Sequence, residues 1–506
     1  MGCHEVWRFE RCDVTELAHD RGATEAAIER RSPGPRGAFR DSRCQRYAPI
    51  ADSDGPDAAD IRSAHIPLAT AFDVDVDELL GNDLAELRQL LAGVRLIREA
   101  TPRIAARVLA TGELMATRLS AAWLDKQGIE VSWQDARALL CSETSGRTRQ
   151  DYLSATCSYE PDSDLAERIT KPGIHLTQGF IARNSDGDTV VLGRGGSDTS
   201  ASYFGAKLQA ERVEIWTDVP GMFSADPRIV PAARLLTELD YEEAQEIASA
   251  GGLVLHPRSI EPLAQYNIPL FVRCTSRPDL PGTLVGASTR DERPCVKAIS
   301  LREIITFLSM ESIGLWHQVG FLAQVFGVFA EHGVSVGLVS TSESNVTVSL
   351  DASPDDIDHE SLERLVDALR PLCRVKLLSD CAAVSLVGRK IRATIARLGS
   401  AFATFEEHRL HLISQAANDL NFTVVVDQSQ GFRLVQKLHP EVMRDATRDP
   451  SLGPTWESLQ QQFEQPETSS PAWWVSHREA LLEQFGDQQS AYVYDLQTVK
   501  ASISAL

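Results

Sequence analysis

The run Leu192-Gly193-Arg194-Gly195-Gly196-Ser197-Asp198-Thr199-Ser200 has the residue types and spacing best suited to gripping an anion. Gly195 and Gly196 let backbone N–H groups approach a negative charge closely, and a helix starting there adds positive potential at its N-terminus. Arg194 offers a planar fork matched to a carboxylate or phosphate. The plainer reading of the same residues is a Gly-rich turn with Ser197 or Asp198 as a helix cap. A second cluster, Trp216-Thr217-Asp218-Val219-Pro220-Gly221-Met222-Phe223 followed by Asp226-Pro227-Arg228, combines polar groups, an aromatic ring and a cation in a way that suits a nucleotide. Taken by itself it reads better as a Pro-Gly turn with a capping Asp. Neither a Walker loop nor a complete Gly-x-Gly-x-x-Gly fingerprint is present.

These clusters need elements to carry them. From about Ile66 the pattern is helical, and Asp83–Ala100 places Leu84, Leu87, Leu90, Leu91, Val94 and Leu96 close to one stripe. A second helix is predicted over Arg103–Gln127, stopped by Gly128. Strands are predicted over Gly173–Ala182 and Asp188–Gly193, then a Gly-rich turn and a helix over Asp198–Arg212. Val213–Trp216 and Ile268–Val272 read as short strands, with a helix over Asp240–Ser249 between them. This alternation predicts an α/β layer fold that sets both clusters at strand ends, where ligands of open sheets collect. From Ala298 a strand–helix–strand theme occurs twice, which predicts two small α+β modules. Pro450–Pro471 reads as a polar linker.

Composition excludes several classes. The chain has 506 residues, 50 Lys plus Arg and 71 Asp plus Glu, for a net charge of −21. Such an acidic chain without a basic run is a poor partner for nucleic acid or an anionic membrane. No run of 18 apolar residues occurs, and the start lacks an apolar stretch after basic residues, so a cytoplasmic protein is expected. The nine Cys are irregularly spaced without a Cys-x-x-Cys pair, so neither a disulfide scaffold nor a metal site is expected. Residues 1–62 stand apart, with ten Arg, no Lys and no apolar period.

In chain order, Gly179-Phe180-Ile181, the Arg194–Asp198 turn, Thr217–Gly221, Asp226–Arg228 and Val254-Leu255-His256-Pro257 resemble aspartate kinase, of the amino-acid kinase family, over about residues 63–440. The resemblance implies a three-layer α/β amino-acid kinase fold over 63–290 and two ferredoxin-like α+β ACT domains over 299–375 and 376–450. It implies ATP- and Mg²⁺-dependent phosphorylation of the β-carboxylate of L-aspartate to 4-phospho-L-aspartate, the opening step of lysine, threonine and methionine biosynthesis through diaminopimelate. Glu113, Arg194, Gly195, Gly196 and Ser197 would hold aspartate, with Arg194 and Asp198 acting at the reacting groups. Thr217, Asp218, Phe223, Arg228 and Val254 would face the nucleotide. Leu315–Leu322 and Ser335–Glu343 resemble the lysine-sensing ACT segment, so Gly320, Phe321, Leu322, Ser340, Thr341, Ser342 and Glu343 would hold an amino-acid effector, L-lysine by this likeness. Lysine-sensitive members carry an Asp where Gly337 stands. A homo-oligomer joined through the ACT domains is implied as well.

The chain departs from the family pattern in two places. The family opens on a strand ending in Lys-Phe-Gly-Gly, which binds the ATP phosphates, yet no Lys precedes Lys126 here. His4–Asp13 can be written in codons that, read one base later with G as the next base, spell Met-Lys-Phe-Gly-Gly-Ser-Ser-Val-Ala-Met, so residues 1–62 read as an out-of-frame or disordered segment, with a divergent N-terminal extension as the alternative. The family's Lys before Val-Leu-His-Pro is Leu253. Both departures predict impaired activity. The alternative function is a catalytically inactive, ACT-bearing, amino-acid-binding regulatory subunit. At the other end, Trp473, Trp474 and Ser490–Asp495 resemble the entry strand of diaminopimelate decarboxylase, so 451–506 read as a linker and the truncated start of such a domain.

Overall fold

The computed structural model describes residues 6–9, 62, 66, 69–70, 72–169, 173–252, 254–287, 294–311, 320–350, 359–395, 410–415, 417–446, 449 and 451–464. They fall into two compact units, one built from 6–221 and 254–287, the other from 222–252 and 294–464.

In the first unit a strand, β1 (Val6–Phe9), lies within the segment set apart by composition. The helices α1 (Val76–Ile97) and α2 (Pro102–Lys126) follow. Helix α1 starts seven residues before the expected Asp83, because Asp75 caps it by accepting from the Asp77 and Glu78 amides. Its buried residues Val76, Leu80, Leu84, Leu87, Leu91 and Val94 recur every three or four positions and share a core with Val108, Met115 and Leu119 of α2. Thr101 caps α2 ahead of Pro102, and Gly128 lies just past its end as expected.

Short strands then carry the chemistry. β2 (Val131–Trp133) pairs in parallel with β3 (Ile174–Leu176), and β4 (Ile181–Arg183) pairs antiparallel with β5 (Thr189–Val191). The single strand expected over Gly173–Ala182 is thus two. Between them the fully buried Gln178 side chain accepts from the Ala136 amide at 2.8 Å and donates to Thr117 Oγ1 at 2.8 Å, while Phe180 has φ 68°. Side-chain hydrogen bonds replace the ladder there. After β5 comes helix α3 (Gly196–Lys207), then β6 (Val213–Thr217). β6 pairs antiparallel with β1 and parallel with β7 (Leu270–Cys274), which pairs antiparallel with β8 (Thr283–Gly286).

The second unit holds a six-stranded antiparallel sheet. Its strands are β9 (Cys295–Glu311), β10 (Val336–Thr341), β11 (Asn345–Leu350), β12 (Arg374–Arg389), β13 (Leu412–Gln415) and β14 (Asn421–Asp427), in the order β10-β11-β9-β12-β14-β13. The two long strands β9 and β12 each turn midway, at Ile304 and Asp380, both with φ 56°. Phe307–Glu311 pairs with β11, whereas Cys381–Val387 of β12 pairs with β14. The first module therefore spans 305–378 and includes the helices Phe321–Glu331 and His359–Leu369; the second takes 295–302 as a strand from before it. The two expected α+β modules are present. Residues 452–464 form a strand paired with Arg234–Leu236 and a helix, rather than continuing as a linker, because Leu452 and Leu459 are buried and Trp456 meets Phe223 edge-on. Among the described residues no helix is long and apolar enough to cross a membrane.

Candidate functional site

The Arg194 turn begins where β5 ends. The Leu192 amide donates to Phe180 O at 2.8 Å, and two residues on the Arg194 side chain stands exposed, with no ion pair among the described residues. Gly195 occupies the N-cap position of α3 at φ 65°, ψ 19°. The N-cap position thus falls on a glycine rather than on Ser197 or Asp198, both of which lie inside the helix. The Gly196 amide donates to Gly193 O at 2.9 Å, and the start of the helix lies beside an exposed guanidinium, an arrangement suited to a carboxylate or phosphate. Asp198, 3% exposed, sits in the first turn of α3, and the helix is buried along nearly its whole length.

Both glycines of the turn are demanded by their neighbours. A Cβ on Gly195 would lie 2.3 Å from Cβ and Cγ of His256, and one on Gly196 would lie 2.7 Å from Cδ2 of Phe180. His256 therefore lies directly against the turn. Burial, then the charges of Arg258 and Arg194, push its imidazole down to about 4, so it is neutral at physiological pH. Glu113 lies half-buried on α2, next to Leu114, which shares a core with Val191 of β5 and with Phe180. The helix bearing Glu113 and the strand leading to Arg194 thus pack as one body.

Thr217 and Asp218 stand at the C-terminal end of β6, as expected. Thr217 Oγ1 donates to Asp218 Oδ1 at 3.1 Å, and Thr217 O accepts from the Thr275 amide at 2.9 Å. Val254 is half-buried in the loop before His256; Leu253 lies outside the described residues. Phe223 and Arg228 belong to the second unit. The Phe223 ring, expected to face a nucleotide, is 9% exposed and meets Trp456 at 5.5 Å and 88°, so it serves the core. Arg228 is engaged by Asp226 through Nε–Oδ1 at 3.0 Å and Nη2–Oδ2 at 2.6 Å. Burial works against the Asp226 charge, but the Arg228 hydrogen bonds outweigh it and hold the carboxyl below its ordinary range.

Of the effector residues, Gly320 is the N-cap position of the helix Phe321–Glu331. Phe321, expected at the ligand, is 2% exposed and belongs to the module core. Leu322 is exposed, Ser340 and Thr341 end β10, and Ser342 and Glu343 form the exposed turn in which the Ser342 amide donates to Asn345 O at 2.8 Å. Residues 312–319 lie outside the described residues. Among the described residues no three His, Cys, Asp or Glu side chains converge on a metal position. Sequence reasoning missed Arg258, whose partners lie far away in the chain; its place directly after His256-Pro257 was the only local signal.

Comparison with known proteins gives a consistent answer. Residues 58–274 match the model of the amino acid kinase family. The lysine-sensitive aspartokinase 3 of Escherichia coli strain K12 is 34% identical over 362 residues, 70% of this chain and 80% of that protein. The chloroplastic aspartokinase 1 of Arabidopsis thaliana is 32% identical over 386 residues, 75% of this chain and 67% of that protein. The crystal structure of E. coli aspartokinase III in complex with aspartate and ADP, in the R-state, superposes with a TM-score of 0.70 at 28% identity, covering 85% of this chain and 97% of that one. The same enzyme with lysine and aspartate, in the T-state, gives 0.58 at 29% identity, covering 85% and 91%.

Proposed function

The chain belongs to the aspartokinases of the amino acid kinase family, and from that premise we propose that its Arg194 turn holds L-aspartate for phosphorylation by ATP. The observation that carries this reading is the exposed Arg194 guanidinium beside the N-terminus of α3, whose N-cap is Gly195. One aspartate carboxylate takes the Arg194 fork and the α3 amides, and Glu113 answers the ammonium group. The β-carboxylate oxygen then bonds to the γ-phosphorus as the bond from that phosphorus to the β–γ bridging oxygen breaks, releasing ADP. The substrate is its own nucleophile, so the protein supplies alignment and charge neutralisation, with no covalent enzyme intermediate. Ser197 and Asp198 border the reacting end, while Thr217, Asp218 and Val254 border the nucleotide. Bound Mg²⁺ would neutralise phosphate charge, carried by the nucleotide.

Turnover by this chain is depressed, since no Lys precedes Lys126 and Leu253 replaces a second phosphate-binding Lys of the family. Those two departures favour one further reading, an amino-acid-binding subunit without kinase turnover. The two α+β modules serve as ACT domains that bind L-lysine and join copies of the chain, and the product feeds lysine, threonine and methionine synthesis in the cytoplasm. A hydroxamate-trapping assay for aspartyl phosphate, run beside aspartate calorimetry, tests the reading. Aspartate binding lost in Arg194→Ala supports the site. Binding without turnover selects the regulatory reading, and wild-type binding in Arg194→Ala overturns the site.

A further inference from the structure

Arg258 lies in the same unit as the Arg194 turn, half-buried in the short 3₁₀ turn Pro257–Ser259. Its two terminal nitrogens donate to different segments: Nη1 to Leu192 O at 2.9 Å and Nη2 to Ala155 O at 2.7 Å. Both segments border the anion-binding turn. Leu192 is two residues before Arg194, and Ala155 follows Ser154, whose Oγ would lie 2.9 Å from a Cβ on Gly193. The Ala155 amide in turn donates to Val191 O at 3.0 Å. On the far side of the turn, Ser202 Oγ of α3 donates to Ser259 O at 2.5 Å, and Ser259 Oγ donates to His256 O at 2.6 Å. The 256–259 turn therefore grips the strand before the Arg194 turn and the helix after it, while the His256 ring lies against Gly195 between them.

We propose that Arg258 is a positioning residue for aspartate: its fork fixes the carbonyls of Leu192 and Ala155, and so sets where Arg194 and the first amides of α3 meet the substrate carboxylate. The geometry needs a planar fork, because one group must reach two carbonyls on separate segments; an ammonium group satisfies one of them at a time. This inference rests on the aspartate-site reading above. Its effect is selective, since the Leu192 and Ala155 carbonyls border the aspartate turn and not the end of β6.

The test is calorimetry on the full chain with L-aspartate and, separately, with ADP. Arg258→Ala is expected to weaken aspartate about tenfold, the equivalent of one lost charge-assisted hydrogen bond, with ADP affinity unchanged. Arg258→Lys should fall between Arg258→Ala and wild type. Millimolar guanidinium chloride should restore aspartate binding to Arg258→Ala, and sodium chloride at the same ionic strength should not. Wild-type aspartate affinity in Arg258→Ala, alongside lost binding in Arg194→Ala, overturns the positioning role and leaves the site reading intact. Parallel loss of aspartate and ADP that guanidinium does not restore also overturns it, because that is what a general structural role predicts. If Arg258→Ala does not fold, Arg258→Lys decides alone: selective weakening of aspartate supports the proposal and unchanged affinity overturns it. Undiminished binding in Arg194→Ala, or none in the wild type, removes the site and this inference together.

Discussion

At the scale of single residues, charge and fit are separable. Arg194→Lys keeps the positive charge but loses the fork, so aspartate affinity should drop by about 1–2 kcal/mol, less than in Arg194→Ala. Calorimetry that ranks the two variants equally would show that bidentate geometry is not used. Histidine gives a second expectation, this time about pH. His439 Nε2 lies 2.9 Å from Ser224 Oγ, and that oxygen already accepts from the Arg234 amide at 2.9 Å. The serine oxygen keeps its proton and a second lone pair, so either neutral tautomer of the ring completes the pair. Burial pushes His439 down to about 4, and His256 is pushed to about 4 as well. An unfolded imidazole titrates near 6.5, so between about 6.5 and 4 the unfolded chain binds more protons than the folded one. The stability contributed by the two neutral rings is complete above that window and is lost as pH falls through it. The urea midpoint should drop between pH 7 and pH 5, and His439→Gln should flatten part of that drop. An unchanged pH response in the variant would dismiss His439 as a source.

At the scale of elements, the break between β3 and β4 depends on one amide. Gln178→Leu leaves the Ala136 N–H and the Thr117 hydroxyl without their 2.8 Å partner and should cost about 1–3 kcal/mol, measurable by denaturant unfolding. The same amide shows why the sequence misleads locally. Gly173–Ala182 alternates well enough for one strand, but Gln178 satisfies backbone and hydroxyl groups contributed by other elements, which no local pattern reveals. Helices α1 and α2 were legible because a buried stripe is a property of spacing alone, although the true start of α1 lay with the Asp75 cap. The Arg194 turn was legible because its glycines, its Arg and its helix are contiguous. Arg258 and His256 lie against that turn from a distant part of the chain, and the contact of Phe223 with Trp456 was not legible because Trp456 sits in a stretch that composition assigns to a linker.

At the scale of the whole molecule, the second unit joins the helix Tyr241–Ser249 to its sheet through a buried ion pair. Arg389 Nε lies 2.8 Å from Oε1 of Glu243, a residue only 1% exposed, and the Glu246 carboxylate accepts from Asn418 and Asn421 at 2.9 Å each. Arg389→Met would strand the Glu243 charge and should cost about 3 kcal/mol or more, whereas the double change with Glu243→Leu should recover much of it. Thermal unfolding of both variants checks this; equal stability of the single and double variants would mean the pair is already hydrated. The segment 222–252 is thereby part of the unit that carries both α+β modules, although in sequence it precedes the His256–Arg258 turn.

The midpoint turns of β9 and β12 make the first module a removable cartridge. The strands enter and leave it side by side, with Arg302 opposite Ala383 and Ile305 opposite Cys381. Deleting residues 303–382 and joining Arg302 to Ala383 through Asn-Gly would close Cys295–Arg302 and Ala383–Arg389 as an ordinary hairpin. The second module would keep its pairing with β14, while Leu412 and Val425 would lose the cover of Phe307 and Leu338 and need polar replacements. Evolution could use the same seam: a chain with this wiring can lose or exchange its first module in one internal splice, without disturbing anything encoded downstream.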